Sequence, residues 1–202
     1  MIRLAIVEDH PAIAEGLTAL LRVEADLTVV GTARDDIAAD RLIAAESPDI
    51  VLCDIRLAGT GDGLELLARH PEGPAFIMLS AYSYPSYYVA AVEHGAKGYL
   101  SKMATIEQIV GAVRTVAAGG TAFPSAVRRA VRTALRPPTP REAQILALVA
   151  EGLGNAEIAE RLSLRLKTIE SQLRRMFDRY DVASRTSLVR VAQRQGWIEG
   201  DD

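Results

Sequence analysis

The chain has 202 residues, 49% of them hydrophobic and 24% charged, a composition typical of a soluble globular protein with one or two domains. No apolar run approaches the length of a membrane span, so no membrane association is predicted. The net charge of −3 hides a division, because residues 1–118 carry 9 basic and 16 acidic residues whereas residues 119–202 carry 14 and 10. The basic half is therefore the candidate for binding nucleic acid.

The single cysteine, Cys53, indicates the compartment. One thiol cannot form an internal disulfide, so a reducing cytoplasm is predicted. Glu8 and Asp9 also come too soon after the N-terminus for a signal peptide. Because Cys53 lies inside an apolar run, we expect a packed hydrophobic side chain, with redox sensing as the alternative.

Short β-branched runs alternate with helical patterns through residues 1–118. Strands are predicted over 2–7, 27–33, 49–53, 75–79 and 98–100. Helices are predicted over 11–23, 35–46, 64–69 and 85–94, and from a capping box at Thr105 and Gln108 to about Gly119. This alternation predicts an α/β fold, a doubly wound five-stranded parallel sheet with helices on both faces.

Only helical signals follow. A basic helix is predicted over 125–135, ended by Pro137 and Pro138. Further helices are predicted from the capping box Thr139–Glu142 to about Glu151, from an Asn155 cap to Leu162, over 166–180 and over 184–194. The sequence therefore predicts an α/β domain at 1–118, a linker at 119–138 and a small all-α domain at 139–202.

Asp54 directly follows an uninterrupted apolar run and stands at the carboxyl end of a predicted strand, where ligands bind in open α/β sheets. Glu8 and Asp9 follow the first strand, Ser80 ends the fourth, and Lys102 follows the fifth. Converging carboxylates repel without a cation, and oxygen-only ligands suit Mg²⁺. With a hydroxyl and an ammonium group to hold phosphoryl oxygens, the pattern predicts a phosphoryl-transfer site with Asp54 as nucleophile, rather than merely solvated acids.

Together these residues and the run Tyr99–Lys102 resemble the CheY-like receiver domain of two-component response regulators, over about residues 1–118. The resemblance implies that a sensor histidine kinase phosphorylates Asp54. The other implied roles are Mg²⁺ binding by Glu8, Asp9, Asp54 and the main-chain carbonyl of Arg56, phosphoryl contact by Lys102 and Ser80, and an inward turn of the switch aromatic Tyr99.

The loop after Asp54 departs from this family. Ala58 stands where the family usually has proline, and Asp62-Gly63 come one residue late. A more flexible loop and an altered phosphoryl lifetime are therefore expected. Beside the site, we expect His10 either to begin the following helix or to tune the acids. The nearby tyrosines 82, 84, 87 and 88 predict either ordinary packing or a partner-binding face.

Residues 139–199 resemble the LuxR-type helix-turn-helix of NarL/FixJ regulators, on the segments Thr139–Glu142, Glu151-Gly152, Asn155–Ala159, Lys167–Ile169 and Ser184–Thr186, with Leu162. The second helix of such a pair enters the major groove. The predicted DNA contacts are Arg165, Lys167, Thr168, Glu170, Ser171, Arg174 and Arg175, with further positive charge from Arg179.

Three positions depart from that pattern. Arg165 replaces the usual Ser or Thr cap, so the first amides of the helix are expected to face a DNA phosphate. Glu170 replaces a common base-contacting lysine, and Gln172 replaces a histidine. Since glutamate accepts from cytosine N4, an unusual operator is predicted.

These patterns predict a cytoplasmic response regulator of transcription, not an enzyme, that forms a homodimer when phosphorylated and binds operator DNA. The predicted dimer seam is Leu188, Val189, Val191 and Ala192. One rival is an aspartate-nucleophile phosphatase, which would want an acid where Arg56 stands. Another is a phosphorylation-independent DNA binder that uses an atypical receiver as a dimer or ligand module.

Overall fold

The structure is a computed structural model that describes residues 1–57, 61–132 and 134–198. Its first unit contains a five-stranded, all-parallel sheet in the order β2-β1-β3-β4-β5. The strands are β1 (Ile2–Val7), β2 (Leu27–Ala33), β3 (Ile50–Asp54), β4 (Ala75–Ser80) and β5 (Gly98–Ser101). The helices between and after them are α1 (Pro11–Leu21), α2 (Asp36–Glu46), α3 (Gly63–Arg69), α4 (Pro85–Glu93) and α5 (Ile106–Ala117). The predicted α/β class is confirmed.

The apolar strand runs form the centre of this unit. Leu4 and Ile6 of β1, Leu52 of β3 and Ile77 of β4 are fully buried, and α5 packs against them through residues such as Val113. A parallel sheet covered by helices needs strands that are apolar on both faces, which explains these runs. The register pairs Val7 with Cys53 and Asp54 with Leu79, so the strand ends lie along one edge.

The segment after α5 returns to the sheet. Ala122 bridges Gly98, its carbonyl accepts from the Tyr99 amide at 3.1 Å, and its amide donates to the Lys97 carbonyl at 2.8 Å. Helix α6 (Ser125–Arg132) follows, with Val127 buried. Residues 134–139 are not helical, so the helix predicted to end at residue 135 is too long. Two prolines follow closely and disfavour helical backbone in the residue before them. The domain bounds at 118 and 138 stay predictions.

The second unit is helical and consists of α7 (Pro140–Ala150), α8 (Asn155–Arg161), α9 (Leu166–Tyr180) and α10 (Arg185–Gln195). Thr139 and Glu142 form the predicted capping box. The predicted Asn155 cap is wrong, because Gly154 is the N-cap of α8 and its amide donates to Glu157 Oε2 at 2.6 Å. The Asn155 side chain instead accepts from Arg185, which ties α8 to the start of α10.

The core of the helical unit joins all four helices, with Ile145, Ile158, Ile169, Leu173 and Leu188 buried. Leu188, Val191 and Ala192 are buried in this core, so the predicted dimer seam is wrong at these three residues, whereas half-buried Val189 stays a prediction. An amphipathic helix shows the same apolar pattern whether it packs inside a domain or against a partner. The apolar spacing of α10 therefore could not distinguish a core face from a dimer interface. Over the described ranges, no helix is both long and apolar enough to cross a membrane.

Candidate phosphoacceptor site and DNA-binding helix

Asp54 is the last residue of β3 and therefore lies at the carboxyl edge of the sheet, with only 4% of the residue exposed. The Arg56 amide lies 3.3 Å from Asp54 Oδ1. Helix α3 begins beside it at Gly63, where an added Cβ would lie 2.0 Å from the Asp54 carbonyl oxygen. Glycine is therefore required for this approach.

Lys102 joins two buried carboxylates. Its Nζ lies 2.7 Å from Asp54 Oδ2 and donates to Glu8 Oε1 at 2.9 Å. Glu8 Oε2 also lies 2.7 Å from Nζ but accepts no well-directed hydrogen bond, so this contact is an ion pair by distance alone. A buried carboxylate oxygen with free lone pairs is suited to a further cation.

Burial and ion pairing shift the pKa values of Asp54 and Lys102 in opposite directions. Burial raises the pKa of Asp54 above its ordinary value, against the lowering effect of Lys102. Burial lowers the pKa of Lys102, but its hydrogen bonds to Asp54 and Glu8 outweigh this and leave the pKa raised. Lys102 is therefore a fixed positive charge beside the Asp54 oxygens.

Glu8, Asp9 and His10 form a second group, with one potential ligand atom from each within 4.8 Å of the others. His10 begins α1 without a side-chain cap, and its Nδ1 lies 2.7 Å from Asp9 Oδ1 and 3.2 Å from Glu8 Oε1. The hydrogen bond to Asp9 raises the pKa of this exposed imidazole. The carboxylate oxygens of Glu8 and Asp9, like the main-chain carbonyl of Arg56 two residues after Asp54, are hard donors of the kind that Mg²⁺ prefers.

Ser80 and Tyr99 meet at Tyr82. Ser80 is buried and its Oγ accepts from the Tyr82 amide at 3.0 Å, while the Tyr99 hydroxyl donates to the Tyr82 carbonyl at 3.2 Å. Tyr99 is only 2% exposed and packs edge-on against Tyr88, with ring centroids 4.7 Å apart. The aromatic ring is thus already inward in this structure, and Tyr88 belongs to the core.

The sequence did not predict the contact between the two loops of the site. The Arg56 guanidinium lies 4.9 Å from the Tyr82 ring centroid, a cation–π arrangement. Asp62 caps α3, with Oδ1 accepting from the Leu64 and Glu65 amides at 2.9 and 2.8 Å. The late Asp-Gly pair therefore still starts α3, whereas the predicted effect of Ala58 lies outside the described residues.

The outer face of α9 carries the predicted DNA contacts. Thr168 is half-buried, and the other six are exposed: Arg165, Lys167, Glu170, Ser171, Arg174 and Arg175. Arg165 is the N-cap and makes no side-chain cap hydrogen bond. Ile169, Leu173 and Met176 fill the opposite face and fix the orientation of the helix.

Arg179 does not share this role. Its two terminal nitrogens each donate to a different Glu142 oxygen at 2.9 Å, and Glu142 is 4% exposed. Burial acts to raise the pKa of Glu142, but the hydrogen bonds from Arg179 and Thr139 and the charge of Arg179 together outweigh it, so the pKa is lowered. Arg179 therefore stabilises the helical unit, and Glu142 compensates the charge that it was predicted to add to the DNA-binding face.

Comparisons with known proteins agree with this geometry. The response regulator receiver domain family matches residues 4–114, and the luxR family of bacterial regulatory proteins matches residues 138–192. This chain belongs to the response regulators. The transcriptional regulatory protein LiaR of Bacillus subtilis is 32% identical over 96% of this chain and 98% of its own length. MctR of Rhizobium johnstonii is 34% identical over 98% and 95%.

The solved structure of the RcsB response regulator from Salmonella typhimurium has a TM-score of 0.72 at 24% identity. The two structures match over 96% of this chain and 100% of the RcsB chain. At this identity the similarity shows a shared fold and no more. With its receiver and LuxR-type domains, this response regulator is a DNA-binding regulator of transcription, and its relatives are transcriptional regulatory proteins rather than enzymes.

Proposed function

We propose that a sensor histidine kinase phosphorylates this response regulator on Asp54, and that the phosphorylated form dimerises and binds operator DNA through α9. The observation that carries the proposal is the Lys102 ammonium group, 2.7 Å from Asp54 Oδ2 inside a nearly buried site. A single exposed carboxylate would have no such partner. The proposed place of action is the cytoplasm.

The chain's own groups support each part of the transfer. An Asp54 oxygen attacks the phosphorus atom, the bond from phosphorus to the donor breaks, and an acyl phosphate forms. The Lys102 ammonium group lies where it can pair with a phosphoryl oxygen. Glu8, Asp9, Asp54 and the Arg56 carbonyl would hold Mg²⁺, which when bound neutralises charge that builds up on the phosphoryl oxygens.

The switch would pass through Ser80 and Tyr99. A phosphoryl group on Asp54 adds about −1.5 to −2 charge and three acceptor oxygens. Ser80 could donate its hydroxyl hydrogen to one of them, and its present partner is the Tyr82 amide. Because Tyr99 holds the Tyr82 carbonyl, movement of this loop would change the surface near α4 and β5.

In the DNA-binding unit, the proposed contacts divide into two kinds. Arg165, Lys167, Arg174 and Arg175 supply positive charge for phosphates, while Thr168, Glu170 and Ser171 lie on the same helix for base edges. Glu170 would accept from cytosine N4. The two amides that begin α9 lack a side-chain cap and would bind a phosphate.

The test is the intact mass of the protein after incubation with acetyl phosphate. We expect a gain of one phosphoryl group with Mg²⁺, and no gain in excess EDTA or in Asp54→Asn. Asp49→Asn, at the opposite end of β3, is the matched control and should be labelled like the wild type. Full labelling of Asp54→Asn would refute the assignment, and equal labelling in EDTA would refute the metal site.

A further inference from the structure

An acid-free, arginine-rich segment joins the two domains. No aspartate or glutamate occurs from residue 108 to residue 141, and four arginines fall within residues 128–136. Neither sequence family covers this segment fully, since their matches end at 114 and begin at 138. Its charge therefore needs an explanation beyond the two families.

Helix α6 presents most of this charge. Val127 is 1% exposed and fixes one face of the helix, whereas Arg128, Arg129 and Arg132 are exposed. Arg128 donates to the Phe123 carbonyl, which holds its guanidinium near the start of the helix. Among the residues that the structure describes, no ion pair joins Arg128 or Arg132 to a carboxylate.

We infer that α6 is a second DNA-binding surface, at which Arg128, Arg129 and Arg132 contact backbone phosphates beside the operator read by α9. This inference rests on the proposed DNA binding by α9. The ligand is a chain of phosphates, because these contacts require only negative charge and carry no base information. Guanidinium groups are well suited to phosphate oxygens.

The covalent connection favours DNA as the occupant. Seven residues, 133–139, separate the end of α6 from the start of α7, and an extended chain of that length spans at most about 25 Å. When α9 is bound, the arginines of α6 are therefore held at high local concentration beside the same duplex. Once α9 has bound DNA, contact between α6 and the same duplex is therefore nearly an intramolecular step.

An anionic membrane surface is a weaker match for the same charge. Helix α6 has eight residues, about 12 Å of length, and its first valine is already buried. Interfacial helices bind by burying an apolar face together with their charge. With Val127 buried inside the protein, Val131 is the one large apolar side chain that α6 exposes, at 38%, so the helix offers three exposed arginines and little apolar surface.

The test is the salt dependence of DNA binding by the full chain. Each phosphate contact contributes about 0.9 to the slope of log affinity against log salt. We expect Arg132→Gln to reduce the slope by about 0.9, and the triple variant with Arg128→Gln and Arg129→Gln to reduce it by up to about 2.7. The loss should be the same on operator and scrambled duplexes.

The matched control is Arg22→Gln with Arg34→Gln and Arg41→Gln, three exposed arginines of the receiver with the same total charge. An equal loss of slope in both triple variants would show a general charge effect and overturn the inference. An unchanged slope in the α6 variant would also overturn it. So would loss of binding to phosphatidylglycerol vesicles with an unchanged DNA slope, which would assign α6 to membranes. Absence of any DNA binding by the wild type would refute the proposed function itself.

Discussion

At the carboxyl edge of the sheet, Glu8 and Asp54 are nearly buried and share the Lys102 ammonium group, whereas Arg174 and Arg175 on α9 are exposed. Within the described ranges, neither of those arginines pairs with a carboxylate. Buried charges must be compensated inside the protein, so each residue of the sheet-edge site constrains the others. Exposed charges carry no such constraint and are accessible to a partner outside the chain.

The same contrast occurs along α9 itself. Arg179, one turn beyond Arg175, forms an ion pair with buried Glu142. The helix thus uses Arg179 for folding and leaves the arginines proposed to contact DNA exposed, although their sequence neighbourhoods are alike. Five substitutions test the contrast between the buried site and the exposed helix.

The largest effect on stability is expected from crowding the sheet-edge site. In Gly63→Ala the new Cβ would meet the Asp54 carbonyl oxygen at 2.0 Å and Cys53 Sγ at 2.9 Å. Because one of these atoms is backbone, we expect a loss of about 3 kcal/mol in the free energy of unfolding. Gly16→Ala in α1 meets nothing within 4 Å and should stabilise by up to about 1 kcal/mol. Urea unfolding measures both, and equal stability of Gly63→Ala and wild type would contradict the close approach.

The second substitution leaves the buried acids unpaired. Lys102→Met removes the hydrogen bonds to Glu8 and Asp54, each of a charged kind worth about 1.5–3 kcal/mol. Because this ammonium group would pair with a phosphoryl oxygen as charge builds up there, we expect phosphorylation by acetyl phosphate to slow by about ten- to a hundred-fold. The exposed Lys97→Met is the control and should react at the wild-type rate. Equal initial rates for all three proteins would remove Lys102 from the phosphoryl site.

The third substitution tests the structural end of α9. Arg179→Met leaves the buried Glu142 carboxylate without its cation and should cost about 2 kcal/mol, less than a fully buried pair because the Arg179 side chain is 29% exposed. Arg175→Met, without such a partner, should cost little. Thermal unfolding of the helical unit should show the difference at neutral pH.

The pH dependence of that loss follows from the lowered pKa of Glu142. The pair contributes stability above the ordinary carboxyl pKa of about 4.5, and the contribution disappears as pH falls through the lower folded pKa. The difference between wild type and Arg179→Met should therefore shrink as the pH falls below about 4.5. A difference independent of pH would contradict the ion pair.

The smallest effects are expected on the exposed face of α9. Arg174→Ala should weaken all duplexes alike and lower the salt slope by about 0.9. Glu170→Lys should change the preferred base at one operator position by about 1 kcal/mol. A panel of single-base operator changes distinguishes the two effects. If Glu170→Lys shifts every duplex by the same factor, Glu170 does not contact a base.

The mutual constraints of the sheet-edge site explain why it could be predicted from the sequence. Apolar runs located the strands, and the acids and Lys102 at their carboxyl ends predicted the contact that the structure shows. The cation–π contact of Arg56 with Tyr82 was missed because it joins two loops whose approach depends on the folded sheet.

The helical unit was harder to interpret at the level of single residues. Helix bounds followed from capping boxes and apolar spacing, yet Glu142 and Arg179 lie 37 residues apart with no local signal for pairing. Leu188 and Ala192 show the same limit, since helical spacing indicates an apolar face but not its partner. The absence of a side-chain cap hydrogen bond at Arg165 could be predicted, because an arginine side chain has no hydrogen-bond acceptor.

The central claim is that the buried acidic site controls the exposed basic helix, and DNA affinity before and after phosphorylation tests it most directly. Operator binding by the full chain would be titrated with and without acetyl phosphate and Mg²⁺, for wild type and Asp54→Asn, with labelling checked by mass. The account predicts that phosphorylation tightens binding of the wild type and leaves Asp54→Asn unchanged. Equal affinity of the labelled and unlabelled wild type would contradict it.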